Sequence, residues 1–233
     1  MQRVPSATAY RGHVNTSLDD VQTRLDELES VNADVTRLLM EYQFGIEELT
    51  TKISILQDEF THLHASSPIE HVDARLKTVR SIVDKVRRRG LEPTMDNIRR
   101  EVTDIAGIRV TCGFASDVYA VFDMVARQPD VRVLRVRDYI AEPKPNGYRS
   151  LHLIVDTPVH MSDRIATARV ELQLRTVAMD FWASLEHKIF YKWHEHVPTA
   201  LRDELAEAAR SASALDQTMQ RLHREARNGV LAP

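Results

Sequence analysis

The feature that most constrains this chain is a polar segment, residues 138–152, most of which can be neither helix nor strand. Two prolines bracket Lys144, and Asn146-Gly147 follows directly. Because proline fixes φ and glycine accepts positive φ, we predict a stiff and sharply turned loop. An amine, an amide, a phenol ring and a guanidinium lie within six positions of this loop, so it is also a candidate binding site.

Alternating sequence after this loop predicts two strands, each with one polar face. Leu151, Leu153 and Val155 fall on one face of the first strand, so His152 falls on the other. In the second strand, apolar positions alternate with the polar residues Glu171, Gln173 and Arg175. An antiparallel sheet with one face in water gives the same pattern, so alternation alone leaves a solvated face and a functional site equally open.

Composition and charge exclude several broad classes. The chain has 233 residues, of which 43% are hydrophobic and 28% charged, and its formal net charge is -3. These values favour one compact globular domain with helical extensions, and they give no bulk attraction to nucleic acid or membranes. No stretch approaches the roughly 18 apolar residues of a membrane span, and residues 1–14 do not resemble a signal peptide. The single cysteine, Cys112, excludes an internal disulfide and lies in an apolar alternation, so we expect a core residue and a cytoplasmic protein.

Helical periodicity divides the chain into four parts. We expect a flexible N-terminus over residues 1–15, a helical segment over 16–65, a central domain over 66–197 and a C-terminal helix over 198–233. Ser17 with Asp20 resembles a capping box that would open the first helix. Apolar residues then recur every three or four positions from Leu18 to Leu63, which indicates a long amphipathic helix or a helix pair broken near Gly45.

The central domain is predicted to alternate between helices and strands. We expect strands over residues 68–76, 104–112, 131–140, 151–159 and 166–175, with a bulge at Val133-Leu134. We expect helices over residues 77–89, 95–103, 116–127 and 177–194, the third of them capped at Ser116. For the last of these helices we predict a core face made of Val177, Phe181, Leu185 and Ile189.

The most basic part of the chain is residues 75–89. Lys77, Ser81 and Lys85 repeat every four residues and would share one helix face. Most charge runs of this kind are solvated helix faces, and that explanation stays open. The alternative is a cradle for a polyphosphate.

Two acids, Asp104 and Glu171, belong to different strands, and each is followed by apolar alternation, so both could project from one sheet face. Paired carboxylates on neighbouring strands commonly hold Mg²⁺, which prefers oxygen ligands and substrate phosphates. Tyr148 offers an aromatic ring on which a base can stack. The cations that could face a phosphate chain are Arg75, Lys77, Lys85, Arg109 and Lys144. Such a combination is typical of phosphoryl transfer, in which catalysis is mostly positioning and charge neutralisation.

The motifs of this chain resemble those of one known family. Neither G-x-x-x-x-G-K-[ST] nor G-x-G-x-x-G occurs, which removes the main support for a P-loop, kinase or Rossmann protein. The motifs instead resemble the RelA/SpoT-type (p)ppGpp synthetases, most of all the small, single-domain alarmone synthetases (GTP pyrophosphokinases). In chain order they are Arg75-Leu76-Lys77 with Ser81 and Lys85, Asp104 to Arg109, Asp138-Tyr139-Ile140, Pro143 to His152, Glu171 to Thr176, and Met179 to Lys188. The resemblance covers about residues 66–195, and its most specific part is Pro-Lys-Pro-Asn-Gly-Tyr.

The resemblance implies a nucleotidyltransferase-like α+β fold, in which a mixed sheet is flanked by helices and residues 66–197 form the catalytic domain. It implies Mg²⁺-dependent transfer of the β,γ-pyrophosphate of ATP to the 3′-hydroxyl of GDP or GTP, the alarmone synthesis of the stringent response. By similarity, the ATP-binding residues are Arg75, Lys77, Ser81, Lys85 and Arg109. The GDP- or GTP-binding residues are Lys144, Asn146, Tyr148, His152, Gln173 and Arg137, with Tyr148 stacking on the base. Asp104 and Glu171 would hold Mg²⁺, and Glu171 would activate the 3′-hydroxyl.

Arg137 departs from the family pattern, which often has lysine before Asp-Tyr-Ile. Arginine is a planar fork and lysine a point charge, so the preferred acceptor among GTP, GDP and GMP stays open. One alternative is a catalytically silent nucleotide- or RNA-binding relative. Another is transfer to a different acceptor, such as an adenine nucleotide or a tRNA end. The net charge argues against a large nucleic-acid footprint.

Features outside these motifs lead to three further expectations. We recognise no hydrolase domain before residue 66 and no regulatory domain after residue 230, so we expect synthesis without hydrolysis and without ribosome control. The apolar stripes of the terminal helices exceed what one small sheet can cover, which predicts self-association. The family's small members suggest a homotetramer. His194-Glu195-His196 could indicate a metal site, although a polar helix end is the more ordinary interpretation.

Overall fold

The computed structural model describes residues 18–64, 66–193 and 198–229 of the chain. The helices in these ranges are α1 (Leu18–Leu63), α2 (Val79–Arg88), α3 (Met95–Glu101), α4 (Ala115–Ala126), α5 (Val177–Trp193) and α6 (Thr199–Gly229). The strands are β1 (Ile69–Leu76), β2 (Ala106–Cys112), β3 (Arg132–Asp138), β4 (Leu151–His160) and β5 (Ile165–Thr176). The expectations for residues 1–15, for the Ser17 cap and for His194-Glu195-His196 fall outside the described residues.

The strands form one mixed sheet in the order β1-β2-β5-β4-β3. β2 and β5 run parallel, and the other neighbouring pairs run antiparallel. β5 is therefore central, and Gln173 on it lies beside His152 of β4. This mixed sheet with flanking helices is the α+β architecture that the sequence predicts. The predicted bulge is also confirmed, because the β3–β4 register shifts between Val133 and Arg135.

One long helix covers the apolar face of the sheet. α1 runs unbroken over 46 residues, so the alternative of a helix pair broken near Gly45 is wrong. Gly45 lies against Ala168 of β5, where a β-carbon would collide with the alanine side chain. Glycine there lets the helix approach the strand closely, and Leu49 and Ile53 of the same helix are almost fully buried. The opposite face of β4 and β5 carries the polar side chains.

The first part of α1 packs against nothing else in the described chain. Residues 18–34 are exposed throughout, and the apolar stripe becomes buried only from Leu38 onward. The exposed apolar residues include Leu18 and Leu28, at 87% and 66% exposure. Among the described helices, none combines the length and the apolar character needed to cross a membrane.

Helix α5 buries a different face from the one predicted. Val177, Phe181 and Leu185 are 55%, 65% and 40% exposed, whereas Trp182 is buried. The helix has apolar residues on more than one side, and α6 packs on the Trp182 side, where Trp182 Nε1 donates to the Leu205 carbonyl at 3.0 Å. The predicted core face is therefore wrong, and its residues line an apolar groove of about 960 Å³ between α5 and α6.

The prediction for Cys112 in β2 is confirmed, whereas the prediction for the start of α4 is wrong. Cys112 is buried in β2 as predicted, and burial raises the pKa of its thiol to about 12. The cap predicted at Ser116 is wrong, because α4 begins at Ala115. The Asp117 carboxylate accepts a hydrogen bond from the N–H of Phe114 at 3.1 Å, so Ser116 lies inside the helix rather than before it.

Candidate active site

The polar face of β5 is the centre of the candidate site. Glu171 and Gln173 project from it, while Leu172 and Leu174 between and beside them are fully buried. Gln173 Nε2 donates a hydrogen bond to Glu171 Oε2 at 3.0 Å. His152, on the neighbouring strand β4, places Nδ1 3.4 Å from Glu171 Oε1. Both carboxylate oxygens therefore face a nitrogen.

Burial and hydrogen bonding act in opposite directions on the pKa of Glu171. Burial by itself raises this pKa, but the interactions with His152 and Gln173 outweigh it, and the pKa lies below its ordinary value. The negative charge of Asp104 adds a further upward contribution to the same pKa, which means that the two carboxylates are within electrostatic reach of each other. Glu171 is thus ionised at neutral pH and is able to accept a proton.

Asp104 precedes β2 and forms ion pairs with both lysines of the basic segment, residues 75–89. The Nζ atoms of Lys77 and Lys85 lie 2.7 and 2.8 Å from Asp104 Oδ2. Burial opposes ionisation of Asp104, but these two cations outweigh it and lower the pKa of the carboxyl group. The other oxygen, Oδ1, is buried and has no hydrogen-bond partner within the described ranges.

Lys77 lies outside the helix that was predicted to carry it. The Thr78 hydroxyl accepts a hydrogen bond from the Ser81 N–H and caps α2, so the helix begins after Lys77. The backbone N–H of Lys77 donates to the carbonyl of Ile105 at 2.8 Å, which fixes this residue beside the start of β2. Lys85 does lie on α2. The two lysines therefore meet through tertiary contact, and not through helical spacing.

A second group of charges lies across β2 and β5. Arg109 Nη1 and Arg175 Nη1 approach the same oxygen, Asp180 Oδ1, at 3.3 and 3.1 Å. Arg75 is exposed at the end of β1. Together with Arg109 and Gln173, it lines a pocket of about 330 Å³. The structure thus brings the cations predicted at positions 75 and 109 to one cavity.

The loop of residues 138–152 is the tight turn that its sequence predicts. Gly147 has a φ of 87°, and its N–H donates to the Lys144 carbonyl at 2.8 Å. Lys144 Nζ lies 4.5 Å from the centre of the Tyr148 ring and 4.7 Å from that of Tyr139. The Tyr148 hydroxyl lies 2.7 Å from His152 Nε2, so the loop is joined directly to the residues around Glu171.

Two further predicted residues are held by different neighbours. Asn146 Oδ1 accepts from the Tyr148 N–H at 3.2 Å, and its Nδ2 donates to Glu186 Oε1 of α5 at 3.0 Å. Arg137 is exposed on the edge strand β3 and donates to the Tyr139 hydroxyl at 3.3 Å. Asn146 therefore shapes the turn, whereas Arg137 contacts Tyr139 from the edge of the sheet.

The carboxylates present fit a divalent cation. Asp104 and Glu171 interact electrostatically, and Asp104 offers a buried oxygen without a partner in the described chain. In the part of the chain that the structure describes, no group of three or more His, Cys, Asp or Glu side chains could hold a metal ion by itself. Mg²⁺ usually takes one or two carboxylates and completes its shell with water and phosphate oxygens. The donor set therefore suits Mg²⁺ that is shared with a nucleotide.

Sequence reasoning missed the residues that tie these groups together. Arg175 Nη2 donates to the Tyr148 hydroxyl at 2.6 Å and to Gln173 Oε1 at 2.8 Å. Asp180 accepts from Arg175 and forms an ion pair with Arg109. The alternation of β5 put Arg175 on the polar face, so that signal was available. Asp180 lies in the motif Met179 to Lys188, but its contacts could not be read from local pattern, because its partners come from β2 and β5 while it lies on α5.

A mixed sheet with two interacting carboxylates, and with a lysine pair and an aromatic loop beside them, suits phosphoryl transfer, in which catalysis is mostly positioning and charge neutralisation. A family model described as "Region found in RelA / SpoT proteins" matches residues 74–196. The chain belongs to the RelA/SpoT family.

Individual relatives agree with this assignment in sequence and in fold. GTP pyrophosphokinase YwaC of Bacillus subtilis (strain 168) is 46% identical over 203 residues, which cover 87% of this chain and 97% of that protein. The crystal structure of small alarmone synthetase 2 from Bacillus subtilis matches with a TM-score of 0.75 at 45% identity, covering 82% of this chain and 99% of that one. Small alarmone synthetase 1 from Bacillus subtilis, bound to its product pppGpp, matches with a TM-score of 0.75 at 37% identity, covering 82% and 96%. The predicted fold and family are confirmed.

Proposed function

We propose that this protein is a (p)ppGpp synthetase that transfers the β,γ-pyrophosphate of ATP to the 3′-hydroxyl of GDP or GTP. The observation that carries the proposal is the place of Glu171 on the central strand, within reach of both Asp104 and the Tyr148 loop. Support comes from the relatives: YwaC is a GTP pyrophosphokinase, and small alarmone synthetase 1 has been solved with pppGpp and with AMPCPP. Substrates of this kind and a single buried thiol suit a cytoplasmic enzyme.

We assign the ATP donor to the β1–β2 side of the sheet. Lys77 and Lys85 already neutralise one carboxylate oxygen, and their flexible stems let them turn to the phosphates of a nucleotide. Arg75 and Arg109 line the neighbouring pocket, where a planar guanidinium can bind a phosphate or stack on adenine. The complete donor set is Arg75, Lys77, Ser81, Lys85 and Arg109.

We assign the guanine nucleotide to the loop and the β4–β5 side. Tyr148 provides the ring for base stacking, and Lys144 beside it provides a cation for the acceptor phosphates. His152 and Gln173 flank Glu171, where the ribose 3′-hydroxyl has to lie. The complete acceptor set is Lys144, Asn146, Tyr148, His152, Gln173 and Arg137.

The transfer step follows from these assignments. Glu171 accepts the proton of the 3′-hydroxyl while that oxygen attacks the β-phosphorus of ATP. The bond from the β-phosphorus to the oxygen bridging it to the α-phosphorus breaks, and AMP leaves. Lys77 and Lys85 neutralise charge on the pyrophosphate as it moves. Asp104 and Glu171 would hold Mg²⁺, which when bound neutralises phosphate charge.

The test is an acceptor survey with labelled ATP and Mg²⁺. The protein is incubated with GDP, GTP, GMP or ADP as acceptor, and the label is followed into the product. We expect labelled pyrophosphate on guanine nucleotides and none on ADP. Transfer to ADP would support the alternative acceptor, whereas absence of transfer to any acceptor would support a silent nucleotide-binding relative.

We also propose that the chain assembles as a homotetramer. A tetramer with two-fold symmetry needs two kinds of interface. One candidate is the exposed part of α1, whose apolar residues have the three- and four-residue spacing of a coiled-coil seam: Leu18, Val21, Leu25 and Leu28. The other is the apolar groove between α5 and α6. Light scattering on the wild type and on Leu25→Glu tests this, and a monomeric wild type at micromolar concentration would overturn it.

A further inference from the structure

Five side chains on the polar face of the sheet form a closed ring of contacts, here termed the Glu171 ring. Glu171 Oε1 lies 3.4 Å from His152 Nδ1, and His152 Nε2 lies 2.7 Å from the Tyr148 hydroxyl. Arg175 Nη2 donates to that hydroxyl at 2.6 Å and to Gln173 Oε1 at 2.8 Å. Gln173 Nε2 donates to Glu171 Oε2 at 3.0 Å and closes the ring.

Arg175 sets the direction of the hydrogen bonds in this ring, because a guanidinium can only donate. The Gln173 carbonyl oxygen must therefore face Arg175, which turns the Gln173 amide N–H toward Glu171. The Tyr148 hydroxyl accepts from Arg175, so its own proton is available to His152 Nε2. A neutral imidazole then carries its proton on Nδ1, which faces Glu171. Two arms of contacts therefore lead from Arg175 to the carboxylate of Glu171: one through Gln173, the other through Tyr148 and His152. Each arm presents a donor nitrogen to one carboxylate oxygen.

The surroundings hold Arg175 in this position. Its side chain is only 6% exposed, and its Nη1 donates to Asp180 Oδ1 at 3.1 Å. Its Cζ lies 5.1 Å from the centre of the Tyr148 ring. Asp180 is itself held by Arg109 at 3.3 Å. A buried planar guanidinium with a carboxylate partner loses little further freedom in making its other hydrogen bonds, so it is a suitable fixed point.

We propose that Arg175 is a positioning residue that holds the acceptor platform, Tyr148, and the base, Glu171, in one geometry. The inference rests on the proposed pyrophosphate transfer, in which Tyr148 carries the acceptor base and Glu171 takes the 3′-proton. Arg175 acts through these residues and through Gln173. Its loss therefore weakens acceptor binding and the chemical step, while the lysine contacts on the ATP side stay in place.

Two substitutions test whether position 175 must carry a side chain that can only donate hydrogen bonds. Arg175→Lys keeps a cation that can only donate. Arg175→Gln introduces an acceptor, which allows the Gln173 amide to turn its oxygen toward Glu171. We expect Arg175→Gln to lower kcat by about 100-fold and Arg175→Lys by about tenfold, because a misplaced base loses much of its contribution. The KM for the guanine nucleotide should rise about fivefold, and the KM for ATP should change less than about twofold.

Arg169→Lys and Arg169→Gln are the matched controls. Arg169 lies on the same strand and also pairs with a carboxylate, Asp156, at 2.9 Å, but it is outside the ring. A general cost of changing an arginine in β5 would lower Tm in both pairs of variants. If the Arg175 variants lose stability and have the same kinetic constants as the Arg169 variants, the positioning role is excluded.

A double-mutant cycle with Tyr148→Phe tests the route through the ring. Phenylalanine keeps a ring for base stacking and removes the hydroxyl that joins Arg175 to His152. We expect Tyr148→Phe combined with Arg175→Gln to lower kcat by less than the product of the two separate effects, because both changes break the same arm. Independent effects would overturn the ring as a coupled unit.

Binding measurements separate this inference from the proposed function. A fluorescent GDP derivative is titrated, without ATP, into the wild type and into the Arg175 and Arg169 variants. A wild type that transfers no pyrophosphate overturns the proposed function, and the ring is then judged on GDP binding. Weaker binding by Arg175→Gln than by Arg169→Gln supports the inference, and equal binding by both overturns it.

Discussion

The lysine pair beside Asp104 lies next to the start of β2, and the Glu171 ring is built on β4, β5 and the loop before β4. The two groups are neighbours, yet they are organised by different interactions. Lys77 and Lys85 converge on one carboxylate oxygen, and each is a mobile point charge that can follow a phosphate chain. In the Glu171 ring, planar groups donate in fixed directions from one side chain to the next. The comparison teaches that the proposed ATP side, around Asp104, is built mainly for charge, and that the proposed acceptor side, around Glu171, is built mainly for orientation.

The strongest test of this contrast is Glu171→Gln. Glutamine keeps the size of the side chain but cannot take the 3′-proton, so kcat should fall at least about 100-fold while both nucleotides still bind. Transfer assays and nucleotide titrations measure the two effects. Glu41→Gln is the control, because Glu41 is a buried carboxylate that pairs with Arg99 and Arg164 on the other face of the sheet. It should lower Tm and leave kcat unchanged. A Glu171→Gln enzyme with near-normal kcat would remove Glu171 as the base.

A second test addresses the lysine pair beside Asp104. Lys77→Gln or Lys85→Gln should raise the KM for ATP by about tenfold, since each removes a charged contact to phosphate. The KM for the guanine nucleotide should stay nearly constant. Lys52→Gln is the control, because Lys52 also pairs with a carboxylate, Asp130, at 2.7 Å but lies away from the site. Equal effects on the KM values of the two substrates would contradict the proposal that the lysine pair binds ATP and the Glu171 ring orients the acceptor.

A third test concerns the loop of residues 138–152 and compares two glycines with positive φ: Gly147 in this loop and Gly90 after α2. Gly147 has a φ of 87°, and a β-carbon there would collide with Ala209 of α6. Gly90 has a φ of 71° and open space around it. Gly90→Ala should cost about 1 kcal/mol of stability and leave the kinetics unchanged. Gly147→Ala should cost more and raise the acceptor KM several-fold, and Ala209→Gly should partly restore that KM.

The smallest expected effect is a pH dependence that distinguishes two half-buried aspartates. Burial raises the pKa of Asp216 on α6, although Thr176 donates a hydrogen bond to it at 2.7 Å. A carboxyl whose pKa is higher in the folded state favours folding when protonated, and this contribution is lost as pH rises through that pKa. Asp216→Asn should therefore give a slightly higher Tm than the wild type at neutral pH, and the gain should shrink at mildly acidic pH. A lower Tm at neutral pH would contradict this.

Asp104 should behave in the opposite way. The two lysines hold its pKa below the ordinary value, so its contribution to stability is present above that value and is lost as pH falls through the folded-state pKa. Comparing thermal unfolding of the wild type with that of Asp104→Asn and of Asp216→Asn across the acid range separates the two aspartates. Acid should lower the stability contributed by both Asp104 and Glu171, because the pKa of each lies below its ordinary value.

The sequence by itself determined the strands, the turn and the family. Period-two alternation fixed which residues of β4 and β5 share a face, because successive side chains of a strand must point in opposite directions. Proline and glycine determined the turn in residues 138–152, because they restrict or permit φ locally. Apolar periodicity likewise predicted the existence of α1, and a slip in alternation predicted the bulge in β3.

Only the tertiary structure decided how these elements meet. It placed Lys77 in a connection rather than on α2, and it turned Val177, Phe181 and Leu185 of α5 toward a groove. It also made Arg175 the link between Tyr148 and, through Gln173, Glu171. These outcomes depend on contacts between segments far apart in the chain. Local periodicity carries no information about which of several apolar faces, or which of several cations, the rest of the chain will cover.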